Sequence, residues 1–179
     1  MTQVTGPVIA LGTFDGLHPG HRQVIRACVE LARELNAPAA VYTFLENPKS
    51  LFGSTPTVLM SNEDKERALL SLGINEVHAV HFTAELAALS PEAFIDMLLT
   101  AYRPAALVAG EDYTFGKNAQ GNSFLLSELC REKNILCKII PLVRDPETGE
   151  VYSSTRVREA LESGNTALAE KLLGGSEVK

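Results

Sequence analysis

The stretch Pro7-Val8-Ile9-Ala10-Leu11-Gly12-Thr13-Phe14-Asp15-Gly16-Leu17-His18-Pro19-Gly20-His21 decides how this chain folds. Its first five residues are an apolar run that reads as a short buried strand. Residues 23–35 then place apolar side chains at helical spacing, so the glycine-framed string between them is a strand-to-helix junction. A helix N-terminus presents unpaired N–H groups and a partial positive charge, worth roughly 0.3–1 kcal/mol toward a nearby anion at an exposed site. Gly12, Gly16 and Gly20 allow backbone positions that side chains would block, and His18 and His21 can donate to phosphate oxygens. The grouping fits a bound phosphate.

Outward from this junction, apolar strand-like runs at 8–12, 39–44, 76–82, 105–110 and 135–141 alternate with amphipathic segments near 21–35, 62–71, 91–102 and 123–133. Ser61 and Ser90 are placed to cap two of these helices. Such alternation implies an α/β fold with a doubly wound, mainly parallel sheet, Rossmann-like, whose ligands bind beyond the carboxyl ends of the strands. No repeat, low-complexity tract or linker divides the chain, and the whole of 1–179 reads as one domain. Residues 45–60, with Asn47-Pro48, Gly53-Ser54 and Thr55-Pro56, are too long for a passive connection and are expected to form a flap over the site.

Composition narrows the function classes. With 45% hydrophobic residues in 179, the chain can bury a sizeable core. A net charge of −6 argues against a surface that embraces nucleic acid or anionic lipid, so any anion is met by a local site. The N-terminus lacks a secretion-signal pattern, and no apolar run approaches the ~20 residues of a membrane span, which points to a cytoplasmic protein. Cys28, Cys130 and Cys137 form no C-x-x-C pair and are expected to be core thiols rather than disulfide or zinc ligands. A monomer or weak dimer is expected.

Two more segments carry polar groups to the same sheet edge. Gly110 to Lys117 follows an apolar strand with Asp112, Tyr113, Phe115 and Lys117. Ser153-Ser154-Thr155-Arg156-Val157-Arg158 sets hydroxyls at a helix start and a guanidinium one turn later, a donor set suited to the β and γ phosphates of a nucleotide. Taken singly, each has a plainer reading. His18 and His21 could lie on a solvated loop, Ser153 to Thr155 could be only an N-cap, and Arg156 and Arg158 could pair with Glu159 and Glu162 on an exposed face. Tyr113 and Phe115 are more often core than ligand contacts. His78 and His81 have no metal-ligand spacing and read as structural. Gly116-Lys117-Asn118 is not a P-loop. The functional reading rests on all three segments occurring in order at one edge of one sheet.

His18-Pro19-Gly20-His21 resembles the H-x-G-H signature of the nucleotidylyltransferase superfamily, and Ser153-Ser154-Thr155-x-x-Arg158 resembles its S-S-T-x-x-R partner. Residues 12–21, 110–121 and 153–174 together resemble the FAD synthetase (FMN adenylyltransferase) module of bacterial bifunctional riboflavin kinase/FAD synthetases. Thr43-Phe44, Leu59, Lys65, Leu72-Gly73-Ile74 and Leu89-Ser90-Pro91-Glu92-Ala93-Phe94 also fall where that module has similar residues.

The resemblance implies transfer of AMP from ATP to FMN, giving FAD and pyrophosphate with magnesium and no covalent intermediate. It implies His18, His21 and Arg158 as catalytic groups, with Gly12, Thr13, Phe14, Asp15, Gly16, Gly20, Ser153, Ser154 and Thr155 around the nucleotide. Phe44, Asn47, Asp112 and Phe115 are implied as flavin or ribose contacts, with no dedicated metal ligand. Transfer of an adenylyl or cytidylyl group to another small phosphate, and flavin or nucleotide binding without turnover, are the alternatives. Two departures stand out. Where the family has F-x-P-H-P, this chain has Phe44-Leu45-Glu46-Asn47-Pro48, and it ends where the family's riboflavin kinase barrel begins, so riboflavin phosphorylation is not expected of it.

Overall fold

Five short strands form one parallel sheet in a computed structural model of the chain, which describes residues 6–174. Residues 1–5 and 175–179 of the single-domain expectation lie outside the described residues. The strands are β1 (Val8–Leu11), β2 (Ala39–Phe44), β3 (Glu76–Val80), β4 (Ala106–Gly110) and β5 (Leu136–Ile140). Their order across the sheet is β3-β2-β1-β4-β5, every neighbouring pair parallel. Winding runs outward from β1 through β2 to β3, then restarts on the other side with β4. The order therefore reverses between β1 and β4, and there the chains leaving the two strands diverge and open a crevice.

Helices cover both faces, as parallel strands with alternating inward residues require. The helices are α1 (Pro19–Glu34), α2 (Asn62–Ser71), α3 (Ala84–Ala87), α4 (Pro91–Tyr102), α5 (Ser123–Glu132), α6 (Ser154–Glu162) and α7 (Thr166–Leu172). Val8, Ala10, Val41 and Val108 point to the face packed by Ile25 and Cys28 of α1 and Leu69 of α2. Ile9, Leu11, Leu107 and Ala109 point to the opposite face, packed by Ile95 and Leu98 of α4 and Leu126 and Cys130 of α5. A third, smaller cluster joins Val157 and Ala160 of α6 to Ala169 and Leu172 of α7, with Leu59 and Tyr152 against it. Among the described residues no helix is long and apolar enough to cross a membrane.

Several element ends differ from the sequence expectation for local reasons. Helix α1 begins at Pro19 rather than His21, because the His18 side chain caps it. The third strand stops at Val80 rather than 82: β2 ends at Phe44, and the ladder closes with the Leu45 N–H on the Val80 carbonyl. The fifth covers Leu136–Ile140 rather than 135–141, pairing no further than Gly110, and Pro141 has no N–H to donate. Ser61 and Ser90 do cap α2 and α4, accepting from the N–H groups of Asp64 and Ala93. The short α3 and α7, and a 3-10 turn at Pro48–Phe52 inside the flap, were not expected.

One thiol also differs. Cys28 and Cys130 are core residues, but Cys137 is only half-buried on the edge strand β5, with its sulfur against that of Cys130 and both reduced.

Candidate active site

The loop leaving β1 is wound tightly. Phe14, Gly16 and Leu17 have φ of 51°, 82° and 45°. A left-handed backbone costs a non-glycine residue roughly 1–2 kcal/mol. Phe14 and Leu17 are each only 1% exposed, and burying such side chains is worth about 1.5–3 kcal/mol apiece. Packing thus holds the turn in a shape its backbone alone would not choose. The Thr13 carbonyl is fixed from two directions, by the Thr43 hydroxyl at 3.0 Å and the Lys65 ammonium at 3.3 Å, and Lys65 also donates to the Phe44 carbonyl at 2.9 Å. The ends of β1 and β2 are thereby clamped together by one buried cation, whose pKa is lowered by burial and partly restored by Asp15.

His18 is the N-cap of α1. Its Nδ1 accepts from the N–H groups of Gly20 (3.1 Å) and His21 (3.3 Å). An imidazole nitrogen that accepts carries no proton, so the proton of neutral His18 sits on Nε2. The ring folds back over residue 20, where a Cβ would meet it at 2.9 Å, and that is why a glycine stands there. His21 stacks on His18 with ring centroids 3.7 Å apart and 21° between planes, braced edge-on by Phe14 at 5.4 Å.

Burial holds the His18 pKa down to about 4. His21 also lies well below the usual value, first through burial and then through the positive charges of His18, Lys65 and Arg158. Near neutral pH the pair is uncharged, and the buried His21 Nδ1 has no hydrogen-bond partner among the described residues.

Two measurable consequences follow from this geometry. His18→Ala removes the cap and is expected to lower stability by about 1 kcal/mol. His18→Asn keeps an accepting oxygen and is expected to retain most of that stability; equal urea midpoints for the two variants would contradict the capping role. Because the folded pKa of His18 is depressed, the unfolded chain takes up a proton below its value of 6.5 while the folded chain does not until about 4. No penalty exists above pH 6.5. Stability falls as pH drops through this window, by about 2 kcal/mol at pH 5 from His18 alone. The drop in urea midpoint between pH 7.5 and 5 is therefore expected to be smaller in His18→Asn than in the wild type.

On the other wall, Ser153 caps α6 by accepting from the Arg156 N–H at 3.2 Å, and the Ser154 hydroxyl donates to the Asp15 carbonyl at 2.8 Å. These two hydroxyls have structural partners. The exposed Thr155 hydroxyl has none among the described residues. Arg156 turns away to Glu150 and the Val151 carbonyl. Arg158 turns inward, its Nη2 2.5 Å from Asp15 Oδ2 and its Nε 2.8 Å from the Thr57 carbonyl.

A cavity of about 740 Å³ opens between these walls. Gly12, Thr13, His18, Gly20 and His21 line it together with Ser153, Ser154, Thr155 and Arg158, and so do Phe44, Asn47, Asp112 and Phe115. The structure thus brings all three predicted segments to one cavity, at the point where the strand order reverses. Three residues expected around a nucleotide sit differently. Asp15 and Gly16 lie behind the wall, and Phe14 reaches it with a ring that belongs to the core.

The departures at the flap are engaged locally. The Glu46 carboxylate accepts from the Phe82 N–H at 3.2 Å and pairs with His81, and Asn47 Oδ1 caps the turn at Lys49. His81, expected to be structural, ties the flap to the end of β3. Phe82, next to it, stands edge-on to Phe44 at 5.0 Å. Sequence reasoning gave no role to Thr43 or Lys65. The signal for Lys65 was its spacing four residues from Leu69, on the face of α2 that is buried.

The FAD synthetase family model matches residues 1–156. A bifunctional riboflavin kinase/FMN adenylyltransferase of Escherichia coli is 37% identical over 172 residues, which is 94% of this chain and 54% of that protein. A Geobacillus thermodenitrificans protein provisionally named for the same two activities is 34% identical over 169 residues, 94% of this chain and 90% of its own length. This chain therefore spans about half of the first relative and most of the second. A crystal structure of a macrolide-efflux protein from Streptococcus pneumoniae superposes with a TM-score of 0.82 at 32% identity, covering 96% of this chain and 56% of that one. The family match takes in all five strands, both stacked histidines and the start of α6, and on that extent of agreement the chain belongs to the FAD synthetase family of nucleotidyltransferases.

Proposed function

We propose that this chain transfers the adenylyl group of ATP to FMN. A phosphate oxygen of FMN forms a bond to the α phosphorus of ATP, the bond from that phosphorus to the oxygen bridging to the β phosphate breaks, and pyrophosphate leaves with the electron pair. The FMN phosphate is already ionised near neutral pH, so no general base is needed, and the protein's task is to position and to stabilise charge. The observation that carries this reading is the stacked, uncharged pair His18 and His21, set at the start of α1 in the same cavity as Arg158.

In this assignment His18 Nε2–H and His21 donate to the oxygens of the α phosphate. The Thr155 hydroxyl, the first N–H groups of α6 and Arg158 receive the β and γ phosphates. Phe44, Phe52, Phe82, Leu86 and Phe115 give the cavity an apolar lining suited to a flavin ring. Among the described residues no cluster of three or more histidine, cysteine or acidic side chains is placed to hold a metal ion. Magnesium fits this donor set as a partner of the triphosphate, held by phosphate oxygens and water.

ATP labelled at the α phosphorus tests the assignment. The label is expected in the flavin product and none in pyrophosphate. Label that stays with adenine nucleotides when FMN is present would contradict it.

A further inference from the structure

Asp15 joins segments that lie far apart in the chain. Its main-chain carbonyl accepts from Ser154 at the start of α6, and its Oδ2 accepts from both Arg158 Nη2 (2.5 Å) and the Leu59 N–H (3.4 Å). Arg158 in turn donates from Nε to the Thr57 carbonyl. The Gly53 and Ser54 N–H groups close a local turn onto Ser50 and Lys49; beyond that turn, and among the described residues, the contacts of Thr57 and Leu59 are the hydrogen bonds that tie residues 53–60 to the chain outside the flap. The same segment sits against the tight turn, since a Cβ on Gly16 would meet Leu59 Cδ1 at 3.0 Å. Asp15 does not line the cavity, whereas Arg158 and Phe52, which lies just before this segment, do.

We infer that Asp15 is a positioning residue that fixes the Arg158 guanidinium and, through it, fastens residues 53–60 of the flap, so that phosphate occupancy and flap order are coupled. A guanidinium has five N–H donors in a rigid fork. Asp15 and Thr57 take two of them, and three remain for phosphate oxygens. One group can therefore hold the anion and the flap at once, and an anion that immobilises the fork also steadies Thr57. Charge alone does not account for the carboxylate, because a negative group next to a triphosphate site weakens attraction for the ligand. Its position between the Arg158 and Lys65 cations accounts for it as a geometric anchor.

This inference rests on the proposed function only in taking Arg158 to meet the triphosphate. The test is amide hydrogen exchange of residues 57–60 with and without inorganic pyrophosphate, together with steady-state kinetics, on the wild type, Asp15→Ala and Asp15→Asn. In Asp15→Ala, exchange at Leu59 is expected to rise at least about tenfold and to stop responding to pyrophosphate, which protects these amides in the wild type. The same variant is expected to lose about 100-fold in kcat, the scale set by a misplaced group, with little change in KM for ATP. Asn keeps the accepting oxygen without the charge and is expected to fall between alanine and wild type.

Wild-type exchange at 57–60 in Asp15→Ala, or an unchanged kcat, would overturn the inference. Should the alanine variant not fold, faster exchange at Leu59 in Asp15→Asn supports the anchor and wild-type exchange overturns it. A wild type that makes no FAD yet shows pyrophosphate-dependent protection lost in Asp15→Ala overturns the function and leaves the anchor standing.

Discussion

His21→Ala is expected to lower the rate of FAD formation about 10²- to 10³-fold, the usual cost of losing one donor to an oxyanion-like centre. The fold should survive. His21 is the third residue of α1, the cap is made by His18, and alanine is the best helix former available to replace it. What disappears is an imidazole held between Phe14 and His18, with a buried nitrogen that has no partner among the described residues. A buried polar atom left without a partner costs roughly 1–3 kcal/mol. Alanine relieves that cost while removing the imidazole from the cavity wall, so the variant is expected to bind ATP more weakly while resisting urea at least as well as the wild type. Turnover within threefold of the wild type would remove His21 from the mechanism.

Arg158→Ala combines two losses. In the proposed assignment the β and γ phosphates then lose their bidentate partner, and the rate is expected to fall by a further oxyanion-donor magnitude, about 10²- to 10³-fold in kcat/KM for ATP. Unlike the histidine change, this one should also destabilise the protein. Among the described residues the Asp15 carboxylate, 17% exposed, would keep only the Leu59 N–H, which costs on the order of 1–3 kcal/mol for a poorly satisfied, half-buried acceptor. Arg158→Lys keeps the charge but not the fork. A single ammonium cannot reach Asp15, Thr57 and a phosphate in the geometry the guanidinium provides, so lysine is expected to restore some ATP affinity and little turnover. Full restoration by lysine would show that charge alone matters at this position.

The fold was legible because local signals agreed with one another. Val8 to Leu11 is an apolar run long enough for one buried strand, the glycines mark the turn, and the alternation beyond them left a doubly wound sheet as the consistent solution. That His18, His21, Thr155 and Arg158 share one cavity was legible because residue types suited to phosphate stand at helix starts on one sheet edge. Asp15 and Phe14 were placed with the nucleotide because they belong to the same string, and a string does not show that Phe14 turns left-handed into the core or that the Asp15 carboxylate points toward residues 57–59. Thr43 and Lys65 both act on the Thr13 carbonyl, and Lys65 also on that of Phe44, and contacts to main-chain atoms leave little trace in sequence.

The altered flap motif shows the same limit. Glu46 and Asn47 stand where the family motif has proline and histidine, and Glu46 meets His81 and the Phe82 N–H across 35 and 36 residues, a pairing that only the β2–β3 register brings within reach. Asn47 caps the turn that follows it. These contacts hold the segment in place, and Phe44 and Phe82 stand together on the cavity wall.

The most direct test of the central claim is incubation of the purified protein with FMN, ATP and magnesium, following FAD and pyrophosphate by chromatography, with riboflavin replacing FMN in a parallel tube. FAD and pyrophosphate appearing together in equal amounts from FMN is the predicted result. No FAD from protein that is folded and binds ATP would contradict it and direct attention to a different phosphate acceptor.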